Sequence, residues 1–547
     1  MKKPFYVCAS VIGVLAVGAL TGCGPSSGED TYDSQGRLNL NLANLYFSSW
    51  TGGDAYTDFL EDKFQVHFDK ISTYDENDWA TKVNAQVNGN NIADAFHYDI
   101  ESFNFGNYYI KWLEDEIIKP LPDDLSAWPH LKDMLDNTTN VENLKVDGKL
   151  YGIPIAYNIK EPVKTFSNFT YIYRKDWAKA IDAQHSGDVE WIPVTQEDDI
   201  YTWDEFIRLL KAFKGYSPAG VSASRVSPLG DVKWGFPSIT NFYKEVPHCF
   251  IKNSDGSVGN AFISDSYLEG LDATKDFIDN GYYYHDQYAA QNNTLHDQFV
   301  ADAIGVYYDN FSFTNYQTMR KNMKSGHRND SSFNLDDATT FIKIQGPDGK
   351  YAIEGTDNWY SMTMFNYDIS DTKFHKILDI IDYLLSEEGA ILATYGIEGY
   401  DYEIVNGEIK LLSSGWEKDE LTGEYISKTN GAKYLRYMAT LGYDMKEEDP
   451  FTDLTSYEIV NSWNHEMMEA YDQGNLRVIK EDDQVKWMTG EQKNRKTNGL
   501  LEDAKETVLK YCYGKNGIDT QEKYKNVFLE SRSWSSVLEE INAKLGK

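Results

Sequence analysis

Short apolar stretches of strand length alternate with stretches of helical periodicity along most of this chain, and such a chain must bury its sheets beneath helices. The pattern is clearest at the start. Leu38-Asn39-Leu40-Asn41-Leu42 alternates with period two and runs on to Leu45-Tyr46-Phe47, which predicts a first strand. Ser48 to Asp54 forms a loop containing Gly52-Gly53, and Tyr56, Phe59, Leu60 and Phe64 then recur at helical spacing. The loop lacks the glycine spacing and the lysine of a phosphate-binding fingerprint. A second strand is predicted over 66–71, a helix over 79–87 and a buried strand from Ile92 to Asp99. Repeated strand-then-helix units favour a parallel sheet, and ligands of such sheets gather beyond the carboxyl ends of the strands.

The alternation continues downstream. Asp147-Gly148 makes a turn before a short strand from Lys149 to Ile155, and Phe169, Tyr171 and Tyr173 alternate in the next. Thr202-Trp203-Asp204-Glu205 is a capping-box pattern, in which Thr202 and Glu205 satisfy each other's backbone amides. Phe206, Leu209, Leu210 and Phe213 supply the core-facing stripe of the helix that follows. Further helices are predicted over 268–278, 374–385, 459–468 and 534–541, with a strand over 303–308.

The N-terminal residues bear on compartment. Lys2 and Lys3 precede an apolar stretch from Val7 to Leu20, of signal-peptide length and short for a membrane span. Leu20-Thr21-Gly22-Cys23 resembles the lipobox of bacterial lipoproteins, whose chemistry cleaves before Cys23 and acylates its thiol. Residues 1–22 are therefore expected to be a lipoprotein signal peptide. Residues 23–37, small, polar and acidic, are expected to be a flexible tether that holds the folded part at the outer face of the cell membrane. Cys249 and Cys512 leave one possible pair, which is no disulfide framework.

Charge narrows the partners. With 86 Asp and Glu against 52 Lys and Arg, a formal net charge of -34 and no basic run, the chain has no footprint for nucleic acid. A highly anionic solute also fits poorly unless the binding site is locally basic. Aromatic residues are abundant, with 39 Tyr, 26 Phe and 13 Trp. A pyranose presents an apolar C–H face and a rim of hydroxyls, which matches an aromatic plane edged by polar groups.

Four pieces, in this order behind the lipobox-like segment, carry a resemblance to a known family. They are Asp147-Gly148-Lys149-Leu150-Tyr151-Gly152-Ile153-Pro154, Tyr173-Arg174-Lys175-Asp176-Trp177, Thr202-Trp203-Asp204-Glu205-Phe206, and Gly389-Ala390-Ile391-Leu392-Ala393-Thr394-Tyr395-Gly396-Ile397-Glu398-Gly399-Tyr400. Over most of residues 38–547 the chain resembles the extracellular solute-binding proteins of bacterial ABC-type carbohydrate importers, particularly the long lipoproteins similar to the LplA group. The resemblance implies an α/β, periplasmic-binding-protein-like class II fold, with two lobes around an interlobe ligand cleft. It also implies capture of an oligosaccharide outside the cytoplasm, delivery to an ABC-type permease, no cofactor, and a monomer. The expected division is 38–157 for the first part of lobe 1 and 158–340 for the first part of lobe 2. Residues 341–410 are then the crossing region and lobe 1 return, and 411–547 a C-terminal helical part of lobe 2. One departure stands at Phe299-Val300-Ala301-Asp302-Ala303-Ile304-Gly305, where relatives often carry Gly-Lys-Ala-Ala and this chain has an acidic residue and no lysine.

Candidate ligand contacts follow from residue type and position. Trp50 lies in the loop after the first strand, Trp79 opens a helix, Trp234 stands between Lys233 and Gly235, and Trp359 follows a polar turn; each offers a stacking plane. Tyr98 and Asp99 end a buried strand, where a carboxylate can accept two hydroxyl hydrogen bonds. Tyr157 and Asn158 fall where the family's chain approaches a lobe crossing, Tyr307 and Asn310 end another strand, and Tyr395 and Glu398 belong to the last quoted piece. Arg174 offers a planar fork to hydroxyls or carboxylates, with Asp176 beside it as a competing partner. Asp302 and Asp309 are too little to assign a metal, and His97, His130 and His248 lack zinc-ligand spacing. The competing readings are a secreted glycan-degrading enzyme, a surface adhesion protein and a peptide-binding transport receptor. An enzyme of that kind needs two acids flanking a scissile bond, and no constellation in the sequence identifies such a pair.

Overall fold

The computed structural model describes residues 29–47, 50–74, 79–98, 109–156, 166–218, 220–231, 236–247, 249–284, 294–418, 425–428, 430–441, 451–480 and 491–547. In chain order, β1 (Leu38–Asn44), β2 (Val66–Thr73), β3 (Ala95–Tyr98) and β4 (Ile153–Ala156) come first. They precede β5 (Phe169–Arg174), β6 (Ile200–Tyr201), β7 (Ser227–Asp231), a hairpin of β8 (Phe250–Lys252) and β9 (Val258–Asn260), and β10 (Ile304–Asn310). β11 (Thr339–Ile344), β12 (Tyr351–Glu354) and β13 (Trp359–Phe365) follow.

Two five-stranded sheets organise the molecule, ordered β2-β1-β3-β13-β4 and β6-β11-β5-β10-β7. Each contains one strand that runs against its neighbours. In the first sheet β13 is antiparallel to β3 and β4, and in the second β5 is antiparallel to β10 and β11. The exception is the same in both cases: β5 and β13 each follow a crossing from the other sheet. A strand entering from the junction runs away from it, whereas strands fed by a covering helix run towards it. The carboxyl ends of β1, β3, β4, β7, β10 and β11 therefore point to the junction between two lobes.

Separate cores lie against the two sheets. Leu40, Leu42, Phe96, Ile153, Met362 and Phe365 of the first sheet share one buried cluster with Ile377, Leu378 and Ile381 of the helix Asp371–Leu385. The second sheet is covered by separate clusters. Tyr173, Phe206, Leu209 and Phe213 lie on one face, and Ile172, Phe299, Tyr316 and Phe341 on the other. The helix Trp203–Gly215 carries the capping box expected of it, with Thr202 N donating to Glu205 Oε2 at 2.9 Å, and Phe206, Leu209, Leu210 and Phe213 fully buried. Phe213 reaches the sheet because Gly305 has no side chain: a Cβ there would lie 2.3 Å from Phe213 Cδ2.

Three expectations need correction. The first strand stops at Asn44, because the Asn44 carboxamide accepts the Tyr46 amide at 2.8 Å and turns Leu45–Phe47 into a short 3-10 helix. Residues 341–354 belong with lobe 2, since β11 continues to Ile344 and β12 pairs with the strand Leu476–Ile479. Residues 431–441 belong with lobe 1 and not with the C-terminal part of lobe 2. Ala432 and Leu435 of the helix Gly431–Arg436 lie in the core of the first sheet. Cys249 and Cys512 are both buried, and no disulfide joins them.

Each lobe holds a buried charge cluster that is neutralised internally. In lobe 1 Asp94, fully covered before β3, meets the Lys373 ammonium at 3.2 Å through both oxygens and accepts the Asn41 amide at 2.8 Å. In lobe 2 the Arg174 guanidinium contacts both Asp176 and Asp302, and His327 Nε2 lies 2.9 Å from the same Asp302.

Candidate functional site

All crossings leave lobe 1 at one corner. Ala156 ends β4 directly opposite Trp359, which begins β13. The segment after the helix Gly431–Arg436 docks on the same residue: Ala156 N donates to Ala439 O at 3.0 Å, and Leu441 N donates to Ala156 O at 2.8 Å. The middle crossing is pinned there by a turn of lobe 1. Asn140 Nδ2 donates to Asp357 Oδ1 at 2.6 Å, and Thr139 N donates to Asn358 Oδ1 at 2.9 Å. On the lobe 2 side Phe166 bridges Gly355, Ser167 N donates to Glu354 O at 2.9 Å, and Phe169 pairs with Asn310. These pairings identify the strand ends that face each other across the cleft.

On lobe 1 those ends carry a continuous series of rings. Trp50 stacks on Tyr434 with centroids 5.6 Å apart and planes 17° from parallel, and Tyr434 meets Tyr437 edge-on at 6.2 Å. Tyr437 meets Tyr46 at 6.0 Å, and Tyr46 meets His97 at 5.5 Å, both edge-on. Trp50 and His97 are buried, whereas Tyr46, Tyr434 and Tyr437 are half-buried and keep part of their surface open. Edge-to-face and offset contacts of this kind hold rings in fixed orientations.

One carboxylate locks the series in place. Asp54 caps the helix Ala55–Phe64 by accepting the Tyr56 and Thr57 amides at 3.0 Å each, and it accepts Trp50 Nε1 at 2.6 Å and the Gly431 amide at 3.3 Å. The close approach demands glycine at 431, where a Cβ would lie 2.5 Å from Thr57 Oγ1 and 2.8 Å from Trp50 Cζ2. Burial pushes the Tyr437 hydroxyl up to about 12 and holds His97 down to about 3, so both are neutral near pH 7. Lys433, one helical turn before Tyr437, is exposed and yet desolvated enough to titrate below the usual lysine value.

Lobe 2 meets the cleft differently. Tyr171 and Tyr308 lie 4.6 Å apart, Phe242 stacks on Tyr171 at 6.0 Å, and Asn241 Nδ2 donates to the Tyr308 hydroxyl at 3.0 Å. Fully buried Asp231, at the end of β7, accepts the Ser238 amide at 3.0 Å and the Ser238 hydroxyl; burial pushes it up to about 6. Lys244 donates to Glu354 at 2.7 Å. Phe169, Tyr171, Phe242 and Tyr308 enclose a space of about 30 Å³, too small for a sugar. A wider hollow of about 510 Å³, between Trp128, His130, Asp379 and Asp382, lies away from the crossings. Its acids are engaged: Trp128 Nε1 donates to Asp379 at 2.9 Å, and the His130 and Leu131 amides donate to Asp382.

The residues predicted from sequence separate into groups. Trp50 joins the ring series, and half-buried Asn310 ends β10 at the cleft, its Oδ1 accepting the Ser312 amide at 3.1 Å. Asp99, Tyr157, Asn158, Trp234 and Cys23 lie outside the described residues, as does the side chain of Trp79. Other placements are corrections. Tyr98 is fully buried against Trp112, because it points to the opposite face of β3 from His97. Tyr307 likewise points into the lobe 2 core and donates its hydroxyl to Asp309, while its neighbour Tyr308 faces the aromatic cluster. Trp359 is fully buried, its Nε1 donating to Thr139 O at 2.9 Å. Tyr395 packs in a small cluster with Tyr402, Leu411, Trp416 and Phe451, and Glu398 is exposed beside it. Arg174 ends β5 at the edge remote from the cleft, where it pairs in register with Thr339. Tyr46, Lys433, Tyr434 and Tyr437 were not anticipated; the Tyr-Leu-Arg-Tyr spacing at 434–437 is the signal that locates them on one helix face. Among the described residues, no group of three His, Cys, Asp or Glu is placed to hold a metal ion.

The lobes, the single reversed strand in each sheet and the three crossings define the periplasmic-binding-protein-like class II fold. Solved structures share it. The chain is similar to the alginate-binding protein AlgQ2, with a TM-score of 0.62 and 16% identity over 93% of this chain and 98% of that one. It is similar to the S. pneumoniae ABC-transporter substrate-binding protein FusA in complex with kestose, with a TM-score of 0.60 and 16% identity over 92% and 98%. Curated relatives include the polygalacturonan/rhamnogalacturonan-binding protein YtcQ of Bacillus subtilis (strain 168), 24% identical over 286 residues, or 51% of this chain and 50% of that protein. Lipoprotein LipO of the same organism is 23% identical over 291 residues, or 51% and 52%. The chain thus matches about half the length of these curated relatives, and no protein-family model matches it.

Proposed function

We propose that the protein captures an oligosaccharide outside the cytoplasm and delivers it, uncleaved, to the permease of an ABC-type importer. The observation that carries this reading is the series Trp50–Tyr434–Tyr437–Tyr46, partly open, at the strand ends of one lobe and opposite a second lobe. Rings in that position accept the apolar faces of successive pyranoses, and the surrounding polar groups orient hydroxyls. The relatives add support: alginate, polygalacturonan and rhamnogalacturonan appear in the names of proteins similar to this one, and kestose in a bound complex. Trp79, Asp99, Tyr157, Asn158 and Trp234 are further proposed contacts, by their places in the sequence.

Binding begins on lobe 1, and closure adds lobe 2; only ligand contacts that favour the closed arrangement can shift its population. The closed outer surface then docks to the permease, which relies on a separate ATPase. The lipobox-like segment supports a lipid on Cys23 and anchorage at the membrane, and together with the four quoted pieces it supports a place near the LplA group. Calorimetry against defined glycans and peptides, with product analysis after long incubation, tests the reading. Saturable glycan binding without products is expected. Turnover would establish an enzyme, and binding of peptides alone would establish a different receptor.

A further inference from the structure

Among the described residues, four hydrophobic clusters lie wholly within one lobe and a fifth does not. The fifth gathers Tyr395, Tyr402, Leu411 and Trp416 around Phe451. The first four of these belong to lobe 1. Tyr395 ends the helix Glu387–Tyr395, whose Leu392 and Ala393 sit in the lobe 1 core, and Tyr402 pairs with Leu411 in a small hairpin of Tyr402–Val405 and Glu408–Leu411. The hairpin and Trp416 are fastened to the end of that helix. Asp401 accepts the Ile397 amide on its carboxylate and the Leu412 amide on its carbonyl, both at 2.7 Å, and Trp416 Nε1 donates to Tyr395 O at 3.3 Å.

Phe451 belongs to lobe 2. It stands two residues before Asp453, which caps the helix Leu454–Asp472, and that helix places Val460, Trp463 and Met467 in a lobe 2 core. Gln317, on the helix Phe313–Gly326, grips this turn with both ends of its carboxamide. Its Nε2 donates to Phe451 O at 3.2 Å, and its Oε1 accepts the Asp453 amide at 3.2 Å. Arg320 Nε, from the same helix, donates to Asp453 Oδ2 at 3.0 Å. Directional bonds therefore fix the backbone beside Phe451 to lobe 2.

The ring of Phe451 is held in another way. It lies on Trp416 with centroids 5.2 Å apart and planes 4° from parallel, and it meets Tyr395 at 5.8 Å. Separating stacked rings exposes two apolar faces to water, whereas turning one over the other breaks no directional bond. We infer that Phe451 is the pin of an interlobe pivot, carried by lobe 2 and seated in lobe 1 against Trp416 and Tyr395. It lets the lobes turn and bars them from drifting apart. Residues 355–358 already join the lobes covalently at the corner of Ala156, Trp359 and Leu441, and attachment at a second place defines one axis of rotation. The pivot concerns how the lobes move and holds whatever the cleft accepts, so it goes beyond the capture reading and is tested without a ligand.

The test is pulsed electron paramagnetic resonance on the ligand-free protein, with spin labels coupled to ketone-bearing residues that replace exposed Asp133 on lobe 1 and exposed Lys211 on lobe 2. The parent should give one narrow distribution of distances. Trp416→Ala and Phe451→Ala should each widen it about twofold or more, and the double variant no further than either alone, because both remove the same contact. Phe451→Leu, which keeps apolar volume without a ring to stack, should widen it as well, so the outcome does not hang on the alanine variants folding. Phe451→Tyr keeps the ring and should leave the distribution narrow. Leu411→Ala cuts the same cluster but spares both stacked rings, and it too should leave the distribution narrow. Unchanged widths in the Trp416 and Phe451 variants, or equal widening by Leu411→Ala, overturn the pivot and leave glycan capture untouched. Failure of every glycan in calorimetry overturns capture and leaves the pivot standing.

Discussion

The two walls of the cleft differ in how their aromatic and polar groups are used. On lobe 1, Tyr46, Tyr434 and Tyr437 are half-buried and Lys433 is unpaired among the described residues, so the wall keeps binding capacity in reserve. On lobe 2, Tyr171 and Tyr308 are buried against each other, Asn241 is engaged by Tyr308, and Asp231 by Ser238. A surface whose groups already satisfy one another gains little from a ligand, whereas open rings and an unpaired charge gain directly. On the proposed function, the difference sets an order of events: lobe 1 holds the solute, and lobe 2 closes over it.

Substitutions can break or sharpen that asymmetry. The largest effect is expected from Trp50→Ala, which removes a buried indole and its bond to Asp54. It should cost about 3–5 kcal/mol in urea unfolding and also abolish glycan binding, because Tyr434 loses its stacking partner. Arg174→Met should cost about 3 kcal/mol by leaving Asp176 without its cation and Asp302 with His327 alone at the far end of lobe 2, yet leave affinity unchanged. A loss of affinity in that variant would contradict the remote placement.

Asp231 provides a pH test. Its folded pKa of about 6 lies above the unfolded 3.8, so its favourable contribution is complete below 3.8 and is lost as pH rises through 6. Relative to Asp231→Asn, the parent should lose about 3 kcal/mol of stability between about pH 4 and pH 7, read from unfolding curves at each pH. Tyr437→Ala should weaken glycan binding about tenfold with little change in melting temperature. The smallest effect is expected from Tyr308→Phe, which deletes one hydrogen bond for about 1 kcal/mol and changes affinity by less than about twofold. A tenfold loss there would show that lobe 2 grips the solute as strongly as lobe 1.

Local features were legible in the sequence and distant pairings were not. The helix Trp203–Gly215 announces itself because its cap and its apolar stripe lie within the same fourteen-residue stretch from Thr202. The contact that builds the site, Asp54 to Gly431, joins residues 377 positions apart, and no local pattern signals it. Trp50 was identifiable as a loop tryptophan after a strand, but its stacking partner could only come from the fold. Strand direction was hidden in the same way. Arg174 ends a strand, as a ligand-binding residue at a carboxyl end should, yet β5 runs away from the junction and carries it to the wrong edge. Trp359 follows polar residues that read as an exposed turn, and insertion of β13 between β3 and β4 buries it.

Ala156, Trp359 and Leu441 share one corner of lobe 1, and residues 355–358 join that corner to lobe 2. A single connection would permit swivelling in any sense. Three chain ends gathered at one corner suppress torsion and leave flexing about one line, as the boards of a book move about its spine. It follows that a proteolytic nick in any one connection leaves two covalent links, so the cut molecule should remain whole in native solution and still clasp its cargo.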